Sequence, residues 1–159
     1  MLAGVQVTEM ARRSTVHILI GAIPIPGGTA YGVVFRDGAG RTLHQLARRT
    51  AHTDPRGAVL AAMLRALWVA RRFGRTVRVA ADQPEVVDWL NRRAEPDDGF
   101  LATFVQIRAL AHSYRRVEIA QATEEEHRAV RAVAERRASP AQVGAQEADS
   151  LLPLWSGAG

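Results

Sequence analysis

The chain has 159 residues and contains neither cysteine nor lysine. The absence of cysteine excludes disulfide scaffolds, thiol catalysis and zinc sites with cysteine ligands. The absence of lysine excludes a Schiff-base lysine and the lysine of a phosphate-binding loop. The longest apolar runs are far shorter than the roughly 20 residues that cross a bilayer, so the sequence predicts no membrane partner.

What remains is the composition of a soluble globular protein, with 47% hydrophobic and 23% charged residues. The length suits a single domain. We expect an N-terminal extension at residues 1–14, a folded domain at 15–137 and a tail with a short helix at 138–159. The first residues show no secretion signal, which together with the missing cysteine predicts a cytoplasmic protein.

Arginine supplies all 21 basic side chains, which with 16 acidic residues give a net charge of +5. A GC-rich coding sequence is the simplest cause of an arginine-only composition. The charge is uneven, because residues 61–80 contain five arginines and no acid. This basic block consists of Arg65, Arg71, Arg72, Arg75 and Arg78. It would attract a polyanion by counterion release, although a solvated helix face has the same pattern.

Hydrophobic periodicity predicts the element order βββ-α-β-α-α-β-α. Three strands joined by short turns form an antiparallel meander, and each later strand follows a helix and so runs parallel to a central strand. The sequence therefore predicts an α/β fold with a mixed five-stranded sheet and helices on both faces. Trp68 and Trp89 fall at apolar helical positions and are predicted to lie in the core.

Three local strings carry a family resemblance. They are PIPGGTAYGVV at residues 24–34, TDPR at 53–56 before a helix, and VRVAAD at 77–82. In this order and spacing they resemble ribonuclease H, type 1, over residues 15–137. The resemblance implies a ribonuclease-H-like sheet with three antiparallel strands followed by parallel crossovers.

Ribonuclease H cleaves the RNA of RNA–DNA hybrids with two Mg²⁺ ions held by four carboxylates. By this resemblance the four carboxylate positions of the family correspond to Gly21, Ala58, Asp82 and Val130. Only Asp82 carries a carboxylate. Asp82 is thus the one candidate catalytic and metal-binding residue, and its alternative role is to cap the helix that follows it. The resemblance implies a degenerate metal site with no cofactor, and Mg²⁺ or Mn²⁺ only if activity remains.

Candidate nucleic-acid contacts come from the same resemblance and from the basic block. Thr53 matches a phosphate-contact position of the family. Gly27 and Gly28 could approach a nucleic-acid backbone closely, although turn geometry alone explains them. With Arg56 and the five arginines of the basic block, these residues form the predicted interface for RNA, DNA or an RNA–DNA hybrid.

Three functions are consistent with the sequence. The first is a ribonuclease-H-like domain that lacks most catalytic carboxylates and binds nucleic acid without catalysis. The second is a homodimeric or scaffold interaction domain, because an apolar tail usually docks on its own domain or on a partner. Its tail residues are Leu151, Leu152, Leu154 and Trp155. The third is a metal-dependent ribonuclease of RNA–DNA hybrids with a rearranged site, drawn from Asp82, Glu85, Glu124 and Glu125.

Overall fold

A computed structural model of the protein describes residues 15–138. A five-stranded sheet of order β3-β2-β1-β4-β5 forms its centre. The strands are β1 (Thr15–Ile25), β2 (Gly28–Arg36), β3 (Thr42–Thr50), β4 (Thr76–Ala81) and β5 (Arg116–Gln121). β1, β2 and β3 pair antiparallel, and β4 and β5 run parallel to β1. The predicted mixed sheet is confirmed. The predicted extension 1–14 and the tail with Leu151, Leu152, Leu154 and Trp155 lie outside the described residues.

Four α-helices surround the sheet in the described residues. They are α1 (Pro55–Ala70), α2 (Pro84–Leu90), α3 (Leu101–Ala111) and α4 (Glu124–Ala138). Two helix starts behave as their sequences predict. Asp54 caps α1 by accepting the Arg56 N–H at 2.9 Å, and Thr123 and Glu126 form a reciprocal capping box before α4. Within the same range no helix is long and apolar enough to cross a membrane.

The helices lie on both faces of the sheet, as predicted, and enclose two apolar cores. Strand side chains alternate between the faces. On the central strand β1, Ile18 and Ile20 therefore join the large core beneath α1, α2 and α3. Leu19 points the other way and joins a smaller core with Val130 and Val133 of α4. The site described below lies on the α4 side, at the end of β4.

β1 is longer than its apolar run of residues 16–20 suggests, because it continues through Pro24 to Ile25. Proline is tolerated there because the ladder with β4 ends at Ile20, so the second half of β1 pairs only with β2. The turn is thereby confined to Pro26 and Gly27, and Gly27 adopts a φ of 79° that favours glycine.

Trp89 is 3% exposed and lies in the large core as predicted. The prediction for Trp68 was wrong, because half of its surface (50%) is exposed. Its indole instead lies beneath the Arg71 guanidinium, 5.3 Å from the ring centre. α1 is apolar around most of its circumference, and periodicity alone does not show which apolar residue lies at the edge of the buried face.

Candidate functional site

Asp82 follows the last residue of β4, and its side chain is only 5% exposed. One carboxylate oxygen, Oδ2, accepts the backbone N–H of Ala22 at 3.1 Å. The other, Oδ1, is buried without a hydrogen-bond partner among the described residues. Burial raises the pKa of Asp82, and the Ala22 N–H and His127 only partly oppose this rise.

His127 of α4 is the nearest basic side chain to this carboxylate, with Nδ1 3.6 Å from Asp82 Oδ2. The imidazole is 38% exposed, whereas the carboxylate it faces is buried. Sequence reasoning missed this pair. Histidine spacing gave no signal, because the two residues come from separate elements that meet only in the fold.

Gly21 of β1 lies between Asp82 and Val130. A Cβ atom built on Gly21 would lie 3.3 Å from Asp82 Oδ2, and it would approach Val130 Cγ1 more closely than the 3.0 Å limit of real Cβ contacts. Val130 itself is fully buried. Gly21, Asp82 and Val130, three of the four positions that the resemblance assigns to carboxylates, therefore lie side by side. The isopropyl group of Val130 fills the space next to Gly21.

A second glycine explains why α4 comes so close to the sheet. Gly32 of β2 is the direct partner of Gly21 in the antiparallel ladder. A Cβ atom at Gly32 would lie 2.6 Å from the carbonyl oxygen of Val130 and 2.9 Å from the backbone nitrogen of Ala134. The backbone of α4 thus rests directly on this pair of glycines, which holds Val130 against Gly21.

The residues at this place do not fit a two-metal centre. Ala58, the remaining position assigned by the resemblance, is fully buried on α1 and has no ligand atom. In residues 15–138 no group of three or more histidine, cysteine, aspartate or glutamate residues lies close enough to hold a metal ion. The alternative ligands do not gather either, because Glu85 binds Arg56 at 2.7 Å and Glu125 faces Arg36 at 3.7 Å.

Arg56, a predicted nucleic-acid contact, is fully engaged within the protein. Its guanidinium pairs with Asp54 and Glu85, each at 2.7 Å, and with Asp97 at 3.0 Å. It also lies over the rings of Trp89 and Phe100, 5.6 and 5.1 Å from their centres. The hydrogen bonds that its guanidinium donates to Asp54 and Glu85 raise the pKa of Arg56. The side chain ties the start of α1 to α2 and to the turn before α3.

The two glycines predicted as nucleic-acid contacts have structural roles of their own. A Cβ at Gly28 would collide with the carbonyl oxygen of Thr50 on β3, so the close approach of the two strands requires glycine. Gly27 supplies the positive φ of the hairpin turn. Thr53 is exposed immediately before the cap residue Asp54.

The basic block does not form one surface. Arg65 lies on α1, whereas Arg71, Arg72 and Arg75 follow the far end of that helix. Arg78 lies on the opposite face of the sheet, because its neighbours Val77 and Val79 point into the large core. Burial lowers the pKa of His17 on β1, and the charge of Arg78 lowers it further. The charge clustering seen in the sequence is therefore divided among three places.

Arg65 instead joins two arginines of β3, Arg48 and Arg49, around a groove of about 300 Å³ between the sheet edge, α1 and α3. We call this the arginine groove. Among residues 15–138 no carboxylate lines it, and its polar wall is completed by Tyr31, Thr50, Thr103 and Gln106. The Nε atom of Arg65 is buried and donates no hydrogen bond within the described residues. The charge pattern of the sequence did not single out Arg48 and Arg49, because their proximity to α1 and α3 is non-local.

Comparison with a known protein family and with solved structures agrees with the fold described above. The family described as reverse transcriptase-like matches residues 26–137, which is more than half of the chain. The chain belongs to the reverse transcriptase-like family. No curated protein sequence matches the chain.

Solved structures show that this reverse transcriptase-like chain has the ribonuclease-H-like fold. RNase H1 from the halophilic archaeon Halobacterium salinarum superimposes with a TM-score of 0.70 at 19% identity, over 77% of this chain and 96% of that one. The N-terminal RNase H domain of a Mycobacterium tuberculosis protein gives 0.72 at 20% identity, over 83% and 99%. LC11-RNase H1 in complex with an RNA/DNA hybrid gives 0.66 at 20% identity, over 77% and 94%.

Proposed function

We propose that this ribonuclease-H-like domain binds nucleic acid without cleaving it. The observation that carries the proposal is the arginine groove, which brings together the guanidinium groups of Arg48, Arg49 and Arg65. The Nε atom of Arg65 is buried and donates no hydrogen bond among the described residues. Guanidinium groups are well matched to phosphate oxygens, which they bind through parallel hydrogen bonds.

The position of the groove supports this role. Thr50, one of its lining residues, ends β3 beside the hairpin turn at Gly28, at the same end of the sheet as Asp82. The groove lies on the face of the sheet that α1 and α3 cover, whereas Asp82 lies on the α4 side. A nucleic acid that contacts both places must therefore pass around this end of the sheet. Solved relatives of this fold include LC11-RNase H1 bound to an RNA/DNA hybrid and a foamy viral protease-reverse transcriptase bound to one.

The absence of cleavage is inferred from the packing at Gly21. One carboxylate with a few waters holds Mg²⁺ weakly, because the ion gives up its hydration only where negative charge accumulates. The lone carboxylate of Asp82 is buried, and its pKa is raised rather than lowered. The surroundings of Asp82 therefore oppose the accumulation of negative charge that a two-metal reaction needs.

Binding is tested by fluorescence anisotropy with labelled RNA–DNA hybrid, double-stranded DNA and single-stranded RNA at low salt, where counterion release is strongest. We expect binding of at least one probe, and a loss of about tenfold in Arg65→Gln, since a charge-assisted contact contributes about 1.5–3 kcal/mol. The matched control is Arg128→Gln, an exposed arginine of α4 outside the groove. Absence of binding to all three probes would refute the proposal.

Cleavage is tested separately with the same hybrid in Mg²⁺ and in Mn²⁺. We expect the RNA strand to stay intact over hours at micromolar protein. Cleavage that disappears in Asp82→Ala would contradict the non-catalytic assignment and would support a ribonuclease with a rearranged site.

A further inference from the structure

A second basic cavity lies at the end of the sheet opposite Asp82. It has a volume of about 360 Å³ and is enclosed by the ends of α2 and α3 and by β5. Arg116 at this end pairs with Thr76, the first residue of β4, whereas Asp82 follows the last residue of β4. Six strand residues at about 3.3 Å each separate the two places by about 20 Å. We call this space the basal cavity, and it is distinct from the arginine groove.

The lining of the basal cavity is basic at its rim and apolar at its floor. The rim carries Arg92, Arg108, Arg115, Arg116 and His112, and no carboxylate of the described part of the chain lines the cavity. Arg116 pairs with Glu118 at 2.5 Å. The other three arginines have no acidic partner among residues 15–138. Leucine, isoleucine and valine side chains from α1, α2, α3 and β5 form the floor.

Arg92 stands in a backbone conformation that favours glycine. Its φ is 61°, and it is the only non-glycine residue with a positive φ in the described range. It ends α2 in a Schellman-type cap, in which the Arg93 N–H donates to the carbonyl oxygen of Asp88 at 2.8 Å. Glycine would make the same cap without strain. Arginine at this position places a guanidinium at the rim of the cavity, where glycine would have no side chain.

We propose that the basal cavity binds a phosphate monoester with an apolar or planar body, of about mononucleotide size. The volume lies within the range of small-molecule sites, which combine apolar walls with a few placed polar groups. Unpaired guanidinium groups at the rim bind the phosphate, and the apolar floor accommodates the body. Asn91 stiffens one wall, because its Nδ2 donates to the Ile119 carbonyl oxygen at 3.0 Å and ties α2 to β5. This site is independent of the proposed nucleic-acid binding.

The test is isothermal titration of the full chain with 5′-AMP at low salt, with adenosine and inorganic phosphate as partial ligands. We expect AMP to bind at least tenfold more tightly than either part, since phosphate and body are both recognised. A single nucleic-acid strand with a 5′-phosphate is titrated as a further ligand. If this strand binds more tightly than AMP, the phosphate that the cavity recognises is that of a strand end. Failure of both AMP and this strand to bind at millimolar concentration would overturn the proposal.

The decisive variant is Arg92→Gly, which removes the guanidinium and relieves the backbone strain. We expect AMP affinity to fall about tenfold while the melting temperature stays the same or rises, a combination that misfolding cannot produce. Arg93→Gln is the matched control, because Arg93 is the adjacent arginine, pairs with Asp88 and does not line the cavity. Unchanged affinity in Arg92→Gly, or a loss of AMP binding in Arg65→Gln instead, would refute the assignment.

Discussion

The contact between Gly21 and Val130 can be tested by a double-mutant cycle. A Cβ on Gly21 would overlap Val130 Cγ1, so Gly21→Ala should overpack the small core and destabilise the protein by about 1–3 kcal/mol. Val130 is fully buried, and Val130→Ala removes two methyl groups at about 0.8 kcal/mol each plus the cost of the cavity, or about 2–3 kcal/mol. In the double variant the new Cβ occupies the space that Cγ1 leaves. Gly21→Ala should then be neutral or stabilising, because alanine also suits a strand better than glycine.

The assay is urea denaturation followed by circular dichroism for the wild type, both single variants and the double variant. We expect a coupling energy of about 1–3 kcal/mol, favourable in the double variant. Gly99→Ala is the control, because a Cβ at Gly99 meets no atom within 4 Å. Its effect should be small and additive with Val130→Ala. A cost of Gly21→Ala that is equal in both backgrounds would refute the view that Val130 fills the space beside Gly21.

Two further predictions concern charged groups. Because burial raises the pKa of Asp82 in the folded state, the stability linked to its proton is largest at low pH and falls as the pH rises through the folded pKa. Asp82→Asn should therefore melt higher than the wild type at pH 7, and this gain should vanish below about pH 4, where the carboxyl group is protonated in the unfolded chain as well. Arg56→Gln should lower the melting temperature more than Arg93→Gln does, since Arg56 joins three carboxylates and Arg93 pairs at 3.7 Å with Asp88 alone. Arg56→Gln should leave nucleic-acid affinity unchanged.

Each of these two predictions has a clear contradicting result. For Asp82→Asn, a difference in melting temperature that is the same at pH 4 and pH 7 would show that ionisation of the carboxyl group is not the cause. For Arg56→Gln, weaker nucleic-acid binding at an unchanged melting temperature would return Arg56 to the interface that the sequence predicts.

The element order and the sheet topology could be predicted because they depend on local signals. The Asp54–Pro55 start of α1 and the Thr123–Glu126 capping box act within one turn of helix, and both appear in the structure. Tyr31, Val33 and Phe35 occupy alternate positions along β2 and therefore share one face, and all three lie in the large core. The prediction that Trp68 lies in the core was wrong because residues 58–64 and 66–70 of α1 are all apolar. The sequence pattern therefore does not show where the buried face of the helix ends.

The site could be predicted only in part, because its contacts are non-local. The resemblance identified Gly21, Asp82 and Val130 as related positions, and the structure brings them together. The close packing of α4 on Gly32 depends on the distance between the helix and the sheet, which no local sequence pattern encodes. The arginine groove combines β3, α1 and α3, whereas the charge count pointed to a continuous block along the chain. Neighbours in sequence such as Arg75 and Arg78 are separated by the fold, and Arg48 and Arg65 are brought together.

The central claim is that guanidinium groups of the arginine groove bind nucleic-acid phosphates. The most direct measurement is the salt dependence of duplex affinity for the wild type, Arg65→Gln and Arg128→Gln. Each phosphate contact contributes about −0.9 to the slope of log K against log salt concentration. We predict a slope about 0.9 shallower for Arg65→Gln and an unchanged slope for Arg128→Gln. Identical slopes and affinities for the wild type and Arg65→Gln would contradict the account.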